Sequence, residues 1–170
     1  MDLLEIVKDY ELNFDKKQCT VYTGYKKLPE FTVLFDMEDL FHLLGIHKLN
    51  TGLRSSSWLK AVKEGNFQLE KYFRHPAFNN VRPRIKNYEF IYEIFYQDRV
   101  KVCVLEKDLD RNTMKLSVVF YKEQKKRIVV IGLRKDKLGY FRPVTLHESR
   151  NNPYSGVKKT FVKGIEWENG

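Results

Sequence analysis

The 170-residue chain has no long apolar run. Its longest uncharged apolar stretches are short, such as Ile128–Leu133, whereas a membrane-spanning helix needs about 20 residues. No membrane association is therefore expected. The start, Met1-Asp2-Leu3-Leu4-Glu5, is acidic and lacks a cleavage-site pattern, which argues against a signal peptide. Cysteine is scarce: only Cys19 and Cys103, far apart and each inside a strand-like run. Two small core residues in a reduced, cytoplasmic protein are the expectation. With four scattered histidines, the two cysteines give no zinc spacing, so no metal ligand set is read. The GxGxxG, GxxxxGK[ST] and GxSxG patterns are all missing. That disfavours nucleotide-dependent and serine-hydrolase chemistry and leaves no cofactor in the reading. Internal repeats and low-complexity segments are absent too.

What is there is charge, unevenly spread. Apolar residues at 42% and charged residues at 31% suit a folded domain. Lysine and arginine number 31 against 22 acidic residues, a net charge of +9. Residues 1–50 hold 6 basic and 9 acidic groups (net −3), and residues 51–100 hold 9 and 5 (net +4). Residues 101–150 hold 13 and 6 (net +7), and the last twenty hold 3 and 2 (net +1). A basic C-terminal half points to a polyanionic partner. Basicity alone does not separate a nuclease from a passive binder, or either from a soluble surface.

The length suits one domain over 1–170. Leu3, Leu4, Ile6, Val7 and Tyr10 have helical spacing behind Asp2, a candidate N-cap. The alternating runs Gln18–Tyr22 and Glu30–Phe35 predict a small hairpin. Asp36 is placed to cap a helix with the stripe Met37, Leu40, Phe41 and Leu44, stopped by Gly45. Further helical segments are expected from Ser55 to Gly65, from Phe67 to Arg74, and in a longer helix opened by Pro83 with Ile85, Tyr88, Ile91, Tyr92 and Phe95.

After Asp98 the period becomes 2. Strands are expected at Lys101–Glu106, Thr113–Tyr121, Arg127–Arg134 and Gly139–His147. Arg127–Arg134 is apolar on both faces and should be central, and Pro143 marks an edge, a bulge or an early end. The connections are too short for crossover helices, which predicts an antiparallel meander. The expected class is α+β. A mainly helical layer spans 1–98 with a hairpin at 18–35, a four-stranded antiparallel sheet spans 99–148, and 149–170 is a tail.

Two clusters could carry chemistry. His42, His47 and Lys48 lie within seven positions. Counting from Met37 at 100° per residue, His42 falls at about 140°, away from the apolar stripe, and one turn after Glu38, a carboxylate that could orient it. His47 lies beyond Gly45, so the two rings need not diverge as they would on a continued helix. The alternative is a surface His42 and a loop His47 packed on Leu49. The second cluster is Arg134, Tyr140, Arg142, Thr145 and His147. Arginine can clamp a phosphate and hydroxyls can donate to it, although a solvated basic edge would look the same. Tyr140 and Arg142 should share one strand face, with Thr145 and His147 on the other unless Pro143 shifts the register. Tyr25, Tyr140 and Tyr154 lie near turns, where a tyrosine could stack on a base. The run Lys122–Arg127 fits a hairpin turn kept in water.

The stretch His42-Leu43-Leu44-Gly45-Ile46-His47-Lys48-Leu49, preceded by the strand Phe31–Phe35, resembles the HLxG[IL]HK signature of a phage- and mobile-element-associated group in the barnase–EndoU–colicin–RelE superfamily. The resemblance implies a metal-independent ribonuclease or toxin-like nuclease with its site on the sheet face, and roles for His42, His47 and Lys48. It also implies a last-strand Ser/Thr or His, loosely matched by Arg142–Glu148.

The leading expectation is RNA cleavage by 2′-hydroxyl transesterification. His42 and His47 would be acid and base in unassigned order, Lys48 and Arg134 would hold the phosphorane charge, and Thr145 or Tyr154 would position the phosphate. Tyr140, Arg142 and His147 would bind substrate. RNA is preferred over DNA as partner, with an antitoxin or host protein as a further one. The alternatives are a non-catalytic module binding nucleic acid or protein, such as a phage-encoded inhibitor of a nucleic-acid-handling enzyme, and an interaction partner whose charge serves solubility.

Overall fold

The computed structural model describes residues 1–168. The first helix, α1 (Leu3–Asn13), starts where the side chain of Asp2 accepts from the Glu5 N–H at 2.9 Å, and it buries Leu3, Ile6, Val7 and Tyr10. The hairpin follows as β1 (Gln18–Thr23) and β2 (Glu30–Leu34), with Cys19 opposite Val33 and Val21 opposite Phe31. Both cysteines are free and buried.

Then come α2 (Asp39–Leu43), α3 (Ser55–Lys63), α4 (Phe78–Lys86) and α5 (Phe90–Phe95). The expected start at Asp36 is a turn instead. There the Asp36 side chain accepts from the Glu38 N–H at 2.9 Å, and the helix proper begins at Asp39. Phe67–Arg74 contains only a single 3₁₀ turn, Leu69–Tyr72. The long helix expected to open at Pro83 is two helices, with Pro83 inside the first. The break falls at Asn87, whose side-chain amide bonds the Pro83 carbonyl at 2.8 Å, beside the ordinary helical bond of its backbone N–H at 2.9 Å.

The sheet departs from the expected four strands. Seven strands, adding β3 (Val102–Leu105), β4 (Val118–Gln124), β5 (Arg127–Lys135), β6 (Phe141–Ser149) and β7 (Thr160–Trp167), close into a barrel in the order β1-β2-β6-β5-β4-β3-β7. The four expected strands are neighbours within it. The hairpin and β7 supply the rest, so residues 160–167 of the expected tail are a barrel strand paired to both β1 and β3. Thr113–Tyr121 yields a strand only from Val118, because Lys115 turns the chain at φ 53°. The register slips between Gly132 and Leu133, opposite Pro143, as a proline without an N–H requires.

All pairings are antiparallel except β2 with β6, which meet in parallel at the single pair Val33 and Phe141. Beyond it, β6 has β5 on one side, while α2 and α4 pack against it in place of a second strand.

β5 divides its apolar residues between two cores, which is why it is apolar on both faces. Val129, Ile131 and Leu133 join the main core with the helices. Ile128 and Val130 join a smaller core with Val104, Leu116 and Val119, against which Tyr121 and Tyr154 pack. In the main core the fully buried Phe14 ring meets Tyr10, Phe35, Tyr92, Tyr96 and Trp167, tying α1, the hairpin, α5 and β7 together. Phe14→Ala should lower the unfolding free energy by about 3–5 kcal/mol. Phe161→Ala, on a β7 side chain that is 55% exposed, should stay within about 0.5 kcal/mol of wild type. Urea denaturation compares the two, and equal midpoints would refute this account of the core.

Candidate functional site

The site starts from a helix stop. Gly45 takes a left-handed conformation, φ 73°, and turns the chain from α2 into a 3₁₀ turn, Ile46–Leu49. On a continued helix His42 and His47 would point about 140° apart. The stop instead brings their ring centroids to 4.6 Å at an interplanar angle of 33°. Phe41 flanks both rings, at 5.4 and 6.2 Å. Both imidazoles and Lys48 are exposed. Glu38 does not orient His42: among the described residues no ion pair joins them.

What holds this turn is Arg84, a residue that the sequence pattern alone does not single out. It is only 4% exposed. Its Nη1 donates to the His42 and Leu43 carbonyls at the end of α2, each at 3.2 Å, and the His42 carbonyl also accepts from the Gly45 N–H at 3.0 Å. Its Nε has no partner among the described residues. A Cβ at residue 45 would stand 3.1 Å from Arg84 Cδ and Nε, a second reason for glycine there. One signal of its burial is present in the sequence: Arg84 sits six residues after Phe78 and three after Val81, on the apolar stripe of its helix.

From the sheet, β6 contributes Thr145 and His147, which share a face as their spacing suggested. The hydroxyl of Thr145 lies 2.9 Å from His147 Nδ1, and Thr145 is buried beside Gly132. The electrostatics join the two halves. Burial pushes the His147 pKa down to about 4, and the charges of Arg84 and Lys48 push the same way. His47 is also lowered to about 4, first by the partial burial of its otherwise exposed ring, then by His42, Arg84 and Lys48, against an opposing hydrogen bond with the Phe41 backbone. Burial also lowers Lys48, and it lowers Arg84 to about 10, which leaves Arg84 charged at neutral pH. Two cations thus act on two imidazoles carried by different elements.

The remaining predicted residues lie elsewhere. Arg134 is four residues along β5 from Val130, the partner of His147, about 13 Å at strand rise. Its guanidinium bonds the Met114 carbonyl. Arg142, opposite Arg134, pairs with Asp136 at 3.2 Å, and the Tyr140 N–H donates to the same carboxylate at 3.0 Å. Tyr154 packs on Tyr121 with centroids 5.2 Å apart. Tyr121, Val130 and His147 lie in one cross-strand row, so Tyr154 rests on the face of His147 about 10 Å away, two strand spacings.

A family model described as phage-Barnase-EndoU-ColicinE5/D-RelE like nuclease 4 matches residues 2–165. No curated protein and no solved structure matches the chain. Among the described residues no helix is long and apolar enough to cross a membrane.

His47 and His147 are neutral at pH 7. An unfolded imidazole titrates near 6.5, so below that pH the unfolded chain takes up protons that the folded one refuses. The contribution of these two groups to stability is therefore present above about pH 6.5 and is lost as the pH falls towards 4. Proton NMR titration should find both imidazole midpoints near 4, and midpoints near 6.5 would remove the electrostatic account of the cluster.

Proposed function

The chain belongs to this family of phage nucleases of the barnase–EndoU–colicin–RelE type, and we propose that it is an endoribonuclease that cuts by 2′-hydroxyl transesterification without a metal ion. The observation that carries the reading is the imidazole pair, with rings 4.6 Å apart in the field of Lys48 and Arg84.

Each step has a group to perform it. His47, unprotonated at neutral pH, accepts the 2′-hydroxyl proton. The freed oxygen attacks the adjacent phosphorus, and the bond from phosphorus to the 5′ oxygen breaks. His42 in its protonated form gives that oxygen its proton, leaving a 2′,3′-cyclic phosphate and a 5′-hydroxyl. Lys48 faces the charge that builds on the phosphorane, and the buried Arg84 adds its field from beneath the turn, in the role expected of Arg134. Thr145 holds one nitrogen of His147, and its Nε2 bonds a phosphate oxygen. Tyr154 stacks a flanking base from the same sheet face. Arg134, Tyr140 and Arg142 receive no catalytic part.

A base of pKa about 4 is weak at pH 7, but part of that depression comes from neighbouring positive charge. A bound phosphate offsets that part and raises the basicity of His47 when substrate is present.

The test is cleavage of a defined RNA in excess EDTA beside a DNA of the same sequence. RNA should be cut to cyclic phosphate ends and DNA left intact. His47→Ala should lose about 10²–10⁴-fold in turnover while binding RNA as wild type does. Binding without turnover would leave a non-catalytic module, and a fully active His47→Ala would end the mechanism.

A further inference from the structure

The lysine-rich β4–β5 hairpin, expected to be no more than a solvated turn, borders a cleft. Lys86, Gln124, Lys125, Lys126, Arg127 and Glu148 line a cavity of 810 Å³. A second cavity of 430 Å³ adjoins it, sharing Arg127 and Glu148 and adding Asn79, Asn80, Pro83, His147 and Arg150. The two form one trough between α4 and the end of β6, with His147 in its wall.

Charge in this trough runs one way. Its lining holds five cations, Lys86, Lys125, Lys126, Arg127 and Arg150, and one carboxylate, Glu148. That carboxylate is already engaged, accepting from the Asn87 amide at 2.8 Å and facing Arg127 at 3.5 Å. Among the described residues Lys86, Lys125, Lys126 and Arg150 make no ion pair. The other polar lining is the amides of Asn79, Asn80 and Gln124 and the imidazole of His147. The only apolar residue is Pro83. A protein partner needs apolar or aromatic anchors at the centre of its interface, whereas a sugar-phosphate backbone is held by Lys, Arg, Asn and Gln.

We propose that this trough is the track for the polynucleotide, gripping backbone phosphates of a single strand whose scissile bond lies at the His42–His47 pair. The proposal rests on the nuclease reading of that site and adds where its substrate runs. From Arg127 to Val130, the partner of His147, is about 10 Å along β5. The hairpin cations therefore bind phosphates outside the reacting one, so the track governs affinity for long substrates and leaves the chemical step alone.

The experiment measures binding of a 2′-O-methyl RNA 12-mer, which cannot be cut, across a salt series. The double variant Lys125→Gln/Lys126→Gln should bind about tenfold more weakly at 0.1 M salt. The slope of log K against log salt should fall by about 1.4, or 0.7 for each phosphate no longer neutralised. Lys125→Arg/Lys126→Arg should restore both, and turnover of a dinucleotide should match wild type in each variant. An unchanged slope overturns the track. So does lysine-dependent capture of poly-glutamate without capture of the 12-mer, which would mark an acidic-protein surface. Wild type that binds the 12-mer with the predicted lysine dependence yet cuts no RNA would keep the track and remove the catalytic reading.

Discussion

One buried cation organises this protein. Arg84 stands in the seam between α4 and the end of α2, bonded to two backbone carbonyls and, among the described residues, to no carboxylate. Burying a guanidinium without a counter-charge opposes folding, and carbonyl hydrogen bonds only partly offset that. The field left over acts on what surrounds it: His47 and His147 are both held in their neutral forms partly by Arg84. Fixing the end of α2 also fixes the direction in which the chain leaves Gly45, and with it the approach of His47 to His42. Geometry and electrostatics of the cluster therefore have a common origin.

The barrel explains how a strand residue reaches helix residues. β2 and β6 share one pair and then separate. A strand edge left bare would expose unpaired backbone groups; here α2 and α4 close it, and they bring their side chains to the end of β6. The same packing accounts for the charge asymmetry. Acidic groups of the first fifty residues are committed to structure: Asp9 accepts from the hydroxyls of Tyr88 and Tyr92, Asp15 from the Met37 N–H, and Asp36 from the Glu38 N–H. Asp39 offsets part of the sheet's charge at Arg142. Among the described residues, however, Lys86, Lys125, Lys126 and Arg150 have no ion-pair partner, so a basic surplus stays at the hairpin and the end of β6.

Local signals in the sequence are good guides where one element decides the outcome. The N-cap at Asp2, the stop at Gly45, the doubly apolar β5 and the irregularity at Pro143 each follow from one residue and its backbone preference, and each is present. Some departures are local, such as the turn at Asp36 and the break at Asn87, but those that decide the barrel and the site involve partners distant in sequence. β7 has buried Thr160 and Val162 alternating with the exposed Phe161 and Lys163, but a bulge beside Tyr22 and Thr23 interrupts its pairing, and nothing local announces a strand that closes a barrel. Arg134 draws notice by lying near the end of a strand. Arg84 does not, because a positive charge on an amphipathic helix suggests a solvated face, when its place within the apolar stripe is what buries it.

That contrast bears on how the site is read. A histidine pair on a surface is ordinary, and proximity alone would not separate it from a chance contact. Here a glycine with left-handed backbone and an arginine that fills the space a side chain would take make one turn, and the charge of that arginine also acts on a third imidazole, His147, bonded to Thr145. Gly45 and Arg84 lie outside the strand ladders, while Thr145 and His147 are ladder residues of β6, opposite Gly132 and Val130. The Arg84 site is a local expense of stability with no structural return beyond the turn it holds. A buried, uncompensated positive charge beside neutral imidazoles is relieved by one class of visitor, an anion. Under the mechanism proposed above, a phosphodiester would bring that anion together with the proton assigned to His47.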